Sequence, residues 1–327
     1  MVALASGQPS RAYVLTELIG SVDIGDEVIV NTTAVDLGLG TGGWHFVHWN
    51  LRRREWQQPG PGHIMKLRYT SLQADVGSTE EHHRELEHVE TVDPLVVIAS
   101  SLHSQLAGIA VAARHAKPGC RIAYVMTDGA ALPLALSDLV ASLREKSIID
   151  CSITAGQAFG GDYEAVSLAS ALVIARHVVN ADIAIVAMGP GIVGTNTALG
   201  YSGVELASTL DMASALGARS IACLRASDSD PRERHRNISH HTVSALSRLT
   251  SRRSEVAFPH TASSQFRDSL EASRIDARHE VREVQIPDVV ALFTEHQLKV
   301  SSMGRAAKDD PILHECAAAA AVLACSP

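Results

Sequence analysis

Side chains that could bind a ligand or transfer a proton cluster directly after five short apolar segments of the chain. These segments end near Ser100, Met126, Thr154, Met188 and Leu224. A continuous apolar run bounded by turn residues is typical of a buried strand in a parallel sheet. Because parallel strands place their carboxyl ends along one edge, residues far apart in the sequence are expected to meet in one crevice there. The pattern therefore predicts a ligand site at that edge.

Three residues in these loops have side chains suited to acid–base chemistry. His103 follows the first run, and because imidazole titrates near neutral pH we predict that it transfers protons, with Asp128 orienting it or binding substrate. Asp162 follows the third run and is a further candidate acid. The alternative for Asp162 is a structural one, since it also stands where the N-cap of a helix over residues 163–179 is expected.

The loop after the fourth run, MGPGIVGT at residues 188–195, contains a GxGxxG pattern made by Gly189, Gly191 and Gly194. Pro190 removes one backbone amide, and the acid that follows the next strand, Asp228, stands 34 residues past Gly194 rather than roughly 20, so nicotinamide binding is not predicted. The sequence contains no GxxxxGK[ST] motif, which excludes a P-loop. We predict instead that the amides of this loop, with the hydroxyl of Thr195, bind a phosphate or carboxylate.

The densest cationic cluster follows the fifth run and consists of Arg232, Arg234, His235 and Arg236, with His240 and His241 a few residues later. Guanidinium groups bind phosphate and carboxylate oxygens in a bidentate manner, so this cluster is predicted to contact the same anion. A solvated turn neutralised by its own acidic residues is the alternative. The remaining loops are predicted to add further ligand contacts through Ser104, Gly129, Gly160 and Gly161.

The chain has 16 histidines, but their spacing alone defines no metal site. A divalent cation would bind only if folding gathered His103, His235, His240 and His241 with Asp128 or Asp162. We therefore assign no metal ligand from the sequence and leave the cofactor open, with a divalent cation as one option.

Several consecutive blocks carry a resemblance that covers nearly the whole chain. These blocks include MTDGAALP at residues 126–133, AFGGD at 158–162, MGPGIVGT at 188–195 and DPRERHR at 230–236. With them the chain resembles a bacterial family catalogued as domain of unknown function 3866. Asn196 departs from the glycine expected at that position of the loop. The family has no assigned activity, substrate or cofactor, so the resemblance implies a bacterial cytoplasmic protein and transfers no residue role.

From residue 95 onward, apolar strand-like runs alternate with helical stretches, which predicts an α/β fold with a mostly parallel, doubly wound sheet. Residues 1–72 differ, with short strand-like runs and all three tryptophans, and predict a small N-terminal antiparallel β unit that serves as a cap or an oligomer contact. A charged linker at 73–94 is expected to join it to an α/β domain at 95–327.

Composition excludes several classes of partner. The formal net charge of −8 provides no basic surface for nucleic acid, and no apolar run reaches the roughly 20 residues that a membrane span needs. The N-terminus lacks the features of a signal peptide, so the cytoplasm is expected. Five cysteines without a CxxC pair predict reduced thiols.

Together these observations favour an enzyme, a transferase or hydrolase, that binds a small anionic metabolite, phosphate-bearing or nucleotide-like, at the carboxyl edge of the sheet. The alternative is a non-catalytic ligand-binding or regulatory homo-oligomer that uses the same crevice; oligomerisation is expected on general frequency alone. The two differ in whether His103 and Asp128 lie within hydrogen-bonding distance of each other. A structural protein with its tryptophan-bearing unit as an interface is a third hypothesis, which predicts exposed Trp44 and Trp49.

Overall fold

The computed structural model describes residues 1–5 and 7–326, which divide into two compact units. The smaller unit is Met1–Gly77 and the larger begins at Ser78. All of the loops that the sequence singles out for chemistry belong to the larger unit.

The larger unit is built on one sheet of eight parallel strands. Numbered in chain order within this unit, they are β1 (Val96–Ala99), β2 (Ile122–Thr127), β3 (Cys151–Ala155), β4 (Tyr163–Ala165), β5 (Ile183–Met188), β6 (Arg219–Cys223), β7 (Glu255–Pro259) and β8 (Glu280–Val284). Their order across the sheet is β4-β3-β2-β5-β1-β6-β7-β8. The central strands are buried along their whole length, which explains their continuous apolar sequences.

Helices cover both faces of this sheet. They are α1 (Gln105–Ala116), α2 (Asp138–Glu145), α3 (Leu168–His177), α4 (Glu205–Ala215), α5 (His240–Ser244), α6 (Ser264–Ser273), α7 (Val289–Glu295) and α8 (Pro311–Cys325). Along β1, Ile98 packs in one core cluster with α1, α7 and α8, whereas Val97 packs in another with α3. This alternation confirms the predicted α/β fold with a doubly wound parallel sheet.

At the centre of the sheet, the helices that follow two neighbouring strands pack on opposite faces. Strands β1 and β5 are neighbours, with Ile183 opposite Val96. The helix after β1 is α1, which packs on the face of Ile98, and the helix after β5 is α4, which packs with Ala99 on the other face. Adjacent strands whose following helices leave to opposite faces open a crevice beyond their carboxyl ends. The structure thus places a topological switch point where the glycine-rich loop begins.

One predicted element differs from the structure. The helix expected over residues 163–179 begins only at Leu168, and its first residues form the edge strand β4, in register with β3 through Ile153 and Tyr163. The N-cap of α3 is Ser167, whose hydroxyl accepts a hydrogen bond from the Ser170 amide. The N-cap prediction for Asp162 is therefore wrong.

The smaller unit contains short strands. Val28–Asn31 and His45–Asn50 pair antiparallel, and Ala12–Tyr13 adds a parallel strand on the other side of His45–Asn50. Two further antiparallel pairs join Val2–Ala3 to Pro9–Ser10 and Met65–Lys66 to Ala74–Asp75. Single helical turns occupy Thr16–Ile19 and Thr33–Asp36. Trp44 and Trp49 are each half-buried rather than fully exposed.

All five cysteines are free, as predicted. No helix within residues 1–5 and 7–326 is both long and apolar enough to cross a membrane.

Candidate functional site

A cavity of about 470 Å³ opens at the switch point between β1 and β5. Its lining comes from the β1–α1 loop, the start of α2, the start of the glycine-rich loop and a hairpin near residue 301; it includes Leu102, His103, Ser104, Asp138, Pro190, Gly191, Lys299 and Ser302. The hydroxyls of Ser104 and Ser302 are hydrogen-bonded at 2.8 Å across it. The volume lies within the range of small-molecule pockets. Of the predicted residues, His103, Ser104 and Gly191 meet here.

Both ring nitrogens of His103 have partners inside the protein. Nδ1 lies 3.0 Å from the Tyr124 hydroxyl and Nε2 lies 2.7 Å from the Ser137 hydroxyl. Burial lowers the pKa of His103 to about 4, so the ring is neutral at physiological pH. Ser137 also caps α2 by accepting a hydrogen bond from the Val140 amide. The ring is therefore held rigidly by residues that the sequence did not single out.

Asp128 does not pair with His103. Its carboxylate accepts a hydrogen bond of 3.0 Å from the amide of Gln157, in the turn that follows β3. A Cβ on the next residue of the β2–α2 loop, Gly129, would lie 2.5 Å from the Glu205 carboxylate, which places Glu205 directly against this loop. Burial raises the pKa of Glu205, and the nearby charge of Asp128 raises it further. The predicted His103–Asp128 pair is absent, and a second carboxyl lies beside Asp128 instead.

The third loop is occupied by structural hydrogen bonds. Asp162 lies level with Ser152, near the amino end of β3, and accepts hydrogen bonds from the Ser152 amide and hydroxyl at 2.7 and 2.9 Å. It also forms an ion pair of 3.0 Å with Arg144. The amide of Gly160 donates to Glu164 and that of Gly161 donates to Thr154. These three predicted residues thus stabilise the β3–β4 connection, and Asp162 lies away from the carboxyl edge.

The glycine-rich loop after β5 folds back on itself as a small exposed hairpin. The Thr195 amide donates to the Gly200 carbonyl at 2.7 Å, and Gly194 forms a β-bridge with Tyr201. The Thr195 hydroxyl accepts from the Thr197 amide. A Cβ on Gly189 would lie 2.4 Å from the Ala131 carbonyl, so that glycine allows two loops to touch. Thr195 and Gly194 therefore stabilise the hairpin, and the Thr195 amide is not free to bind an anion.

The fifth loop brings the cationic residues to this hairpin. A two-residue ladder joins Ala226–Ser227 to Asn237–Ile238, which places Arg225 beside Ser239. Arg234 donates a hydrogen bond of 2.6 Å to the Asn196 side chain. Arg232 is occupied differently, because it binds Asp230 through two parallel hydrogen bonds of 2.9 Å.

Three histidines lie together at the base of this loop. One ring nitrogen each of His235, His240 and His241 lies within 4.8 Å of those of the other two. His235 and His241 are buried, and His240 is partly exposed. The Tyr201 ring stacks on His241 with 3.6 Å between centroids. Folding thus gathers three of the histidines considered from the sequence and leaves His103 elsewhere.

Arg225 lies under this cluster and is only 4% exposed. Its Nη1 donates a hydrogen bond of 2.9 Å to Nδ1 of His241. Within the described part of the chain it forms no ion pair with a carboxylate, and burial together with the charge of Arg232 lowers its pKa to about 10. It therefore carries a positive charge at neutral pH without a direct counter-ion.

The sequence did not select Arg225, Tyr201 or Glu205 as site residues. Arg225 carries a usable signal, because a charged residue directly follows a buried apolar strand. Tyr201 and Glu205 follow a hairpin whose length the sequence does not define, so no pattern points to them.

Comparison with known proteins supports the resemblance seen in the sequence. No curated protein and no solved structure matches the chain. A family described as "Protein of unknown function (DUF3866)" matches residues 11–321, nearly the whole chain. The chain is therefore a member of the DUF3866 family.

Proposed function

We propose that the protein binds a small anionic metabolite, phosphate-bearing or nucleotide-like, at the carboxyl edge of the large sheet. The observation that carries this proposal is the burial of Arg225 without a carboxylate partner among residues 1–5 and 7–326. A buried charge is costly unless it is paired, so a guanidinium in this position favours a bound anion as its counter-ion.

The surroundings of Arg225 support the same ligand class. Arg234 has no carboxylate partner within the described residues, since its side chain bonds to Asn196 and His235. Asp230, the nearby acid, is already held by Arg232. The hydroxyls of Ser100 and Ser101, at the end of β1, are buried and lack hydrogen-bond partners within the described ranges. Unpaired buried donors of this kind are satisfied when a ligand or water binds.

For catalysis we propose group transfer or hydrolysis at the anionic group, with His103 as the proton carrier of the adjoining cavity. The cavity and the surroundings of Arg225 share one wall. Ile192 lines the cavity and also approaches Gly203, against which Tyr201 packs. The neutral ring lines the cavity, and it accepts a proton in such a reaction once Tyr124 or Ser137 releases one of its nitrogens.

The experiment compares Arg225→Met with the wild-type chain in a thermal-shift assay. Inorganic phosphate and a panel of nucleotides, sugar phosphates and carboxylates are added at matched ionic strength. A ligand at about 100 times its Kd adds about 2.7 kcal/mol to the folded state, so the wild-type Tm should rise. Arg225→Met should raise the Tm without ligand, because it removes an unpaired charge, and should abolish the shift.

The matched control is Arg219→Met at the other end of β6. Arg219 is paired with Glu255 at 2.6 Å, so its loss should lower the Tm and leave the ligand shift unchanged. If no anion shifts the wild-type Tm, or if Arg225→Met keeps the full shift, the proposal is wrong.

A second candidate function is a non-catalytic ligand sensor. It is favoured by the separation of His103 from Asp128, which bond to Tyr124, Ser137 and Gln157 instead of to each other. Mass spectrometry of a bound ligand after prolonged incubation separates the two functions. An unchanged ligand supports the sensor, and a product that disappears with His103→Asn supports the enzyme.

A further inference from the structure

We infer that His235, His240 and His241 form a binding site for one divalent transition-metal ion of the Zn²⁺ type. This goes beyond the proposed anion binding and stands on separate observations. Three imidazoles that leave a fourth position open are a known ligand set for Zn²⁺.

The first observation is the approach of the three rings. The centroid of the His240 ring lies 4.3 Å from that of His241 and 5.0 Å from that of His235, while His235 and His241 are 4.8 Å apart. One nitrogen from each ring lies within 4.8 Å of the others. Zn–N bonds are about 2.0–2.1 Å long, so small side-chain rotations suffice to bring all three nitrogens onto one ion.

The second observation is the set of hydrogen bonds on the far side of two rings. Nδ1 of His240 donates to the Arg234 carbonyl at 3.2 Å, which leaves Nε2 with its lone pair. Nδ1 of His235 lies 2.7 Å from the Ser239 hydroxyl. Metal-binding histidines are usually held in this way, with the other nitrogen bonded to a carbonyl or a hydroxyl-type partner that fixes the ring.

The local fold keeps the rings in place. His240 and His241 begin α5, and Ser239 caps that helix through the His241 amide. The Tyr201 hydroxyl donates to the His241 carbonyl at 3.1 Å while its ring covers one face of the imidazole. His240, which is partly exposed, gives an ion a path from solvent.

Two positively charged arginines lie against the nitrogens that would bind the ion. Arg225 donates to Nδ1 of His241, and Arg234 lies 3.5 Å from Nε2 of His235. Zn²⁺ binding requires Arg225 to release Nδ1, so that the His241 ring can carry its proton there and coordinate through Nε2. Arg225 and Zn²⁺ are both positively charged and repel each other. A bound anion should therefore strengthen metal binding, and removal of the Arg225 charge should do the same.

The test uses the full-length chain, stripped with a chelator and titrated with ZnCl₂ in phosphate-free buffer by calorimetry. We expect one Zn²⁺ per chain, a visible absorption band with Co²⁺ as substitute, and no binding of Mg²⁺, which prefers oxygen ligands. His240→Gln should weaken Zn²⁺ binding by more than the roughly 10–100-fold typical of losing an outer partner. His240 is partly exposed, so this variant is expected to fold, and circular dichroism checks that it does.

Two further variants decide between outcomes. His115→Gln, on the exposed end of α1, should bind Zn²⁺ like the wild type. Arg225→Met should bind Zn²⁺ more tightly while losing the phosphate shift. If no anion shifts the Tm but the wild type still binds one Zn²⁺, the anion proposal is wrong and the metal site stands. Absence of Zn²⁺ binding by the wild type, or equal affinity in His240→Gln, overturns the metal site.

Discussion

At the scale of single residues, the partners of a side chain decide its role more than its type does. Asp162 and Asp128 are both acids in glycine-containing loops. Asp162 binds Ser152 and Arg144, whereas Asp128 accepts a hydrogen bond from the turn after β3. Arg232 and Arg225 differ in the same way, since Arg232 binds a carboxylate through two hydrogen bonds and Arg225 binds none in the part of the chain that the structure describes. Of the two arginines, Arg225 is therefore the better candidate for binding a ligand.

Buried histidines also determine how the stability of the protein depends on pH. His314 is 1% exposed, and burial lowers its pKa to about 4. In the unfolded chain the pKa is about 6.5, so the unfolded state binds a proton first as the pH falls. The stabilisation from the neutral ring is complete above about pH 6.5 and is lost between about pH 6.5 and pH 4, by up to about 3 kcal/mol.

We therefore expect His314→Met to flatten this part of the profile. Nδ1 of His314 has no hydrogen-bond partner within the described residues, so the substitution should cost little at neutral pH. Urea unfolding at about pH 7 and about pH 4.5 measures the difference in free energy for the wild type and the variant. Above about pH 6.5 the two profiles should run parallel, which serves as the control; parallel profiles at low pH as well would contradict the prediction.

At the scale of elements, the packing of α1 against α8 needs small residues on both helices. A Cβ placed on Gly108 of α1 would lie 2.8 Å from Cβ of Ala317 on α8 and 3.1 Å from the His314 carbonyl. Residues 317–321 of α8 are all alanine and all buried. Close approach of two helix backbones therefore accounts for the alanine-rich sequence at the C-terminal end of the chain.

Gly108→Leu should lower the free energy of unfolding by about 1–3 kcal/mol, because the added side chain has no space between the helices. Urea denaturation gives the value. Ala116→Leu, at the exposed end of the same helix, is the matched control and should change the free energy by less than about 0.5 kcal/mol. Equal effects of the two substitutions would show that the helices are not in close contact.

The sequence predicted the central strands well and the edge strand β4 poorly, for a physical reason. Strands such as Ile183–Met188 are buried on both faces, so a continuous apolar run marks them. Strand β4 has three residues and pairs on one side only, so its Tyr163 and Glu164 are half-buried and look like the start of a helix. Pairing with β3 overrides that local preference.

The meeting of the candidate-site loops at one edge could be predicted from the sequence, whereas their contacts with one another could not. Strand order puts the loops of β1, β5 and β6 at one edge, and the sequence pattern contains that information. The contacts of Arg225 with His241 and of Tyr201 with the same ring depend on how two loops fold back. Neither the hairpin over residues 193–202 nor the ladder at Ala226–Ser227 has a spacing signal strong enough to be recognised.

At the scale of the whole molecule, the two units differ in the size of their cores. Among the described residues of Met1–Gly77, the buried apolar side chains are those of Leu18, Ile19, Val47 and Ala74. Ile24, Ile29 and Leu37 of the same unit are exposed. The larger unit has extensive core clusters on both faces of its sheet. Because stability rises with the apolar area that is buried, the smaller unit should be the less stable of the two.

This difference can be measured because the chain carries a natural reporter for each unit. The three tryptophans, Trp44, Trp49 and Trp56, all lie in the smaller unit, whereas α1 to α8 lie in the larger one. In urea unfolding we expect tryptophan fluorescence to change at a lower urea concentration than the helical circular dichroism signal. Two separate midpoints would show that each unit unfolds by its own cooperative transition. Coincident midpoints would mean that the small core is stabilised as part of one cooperative chain, because only coupled unfolding makes probes in both units report the same transition.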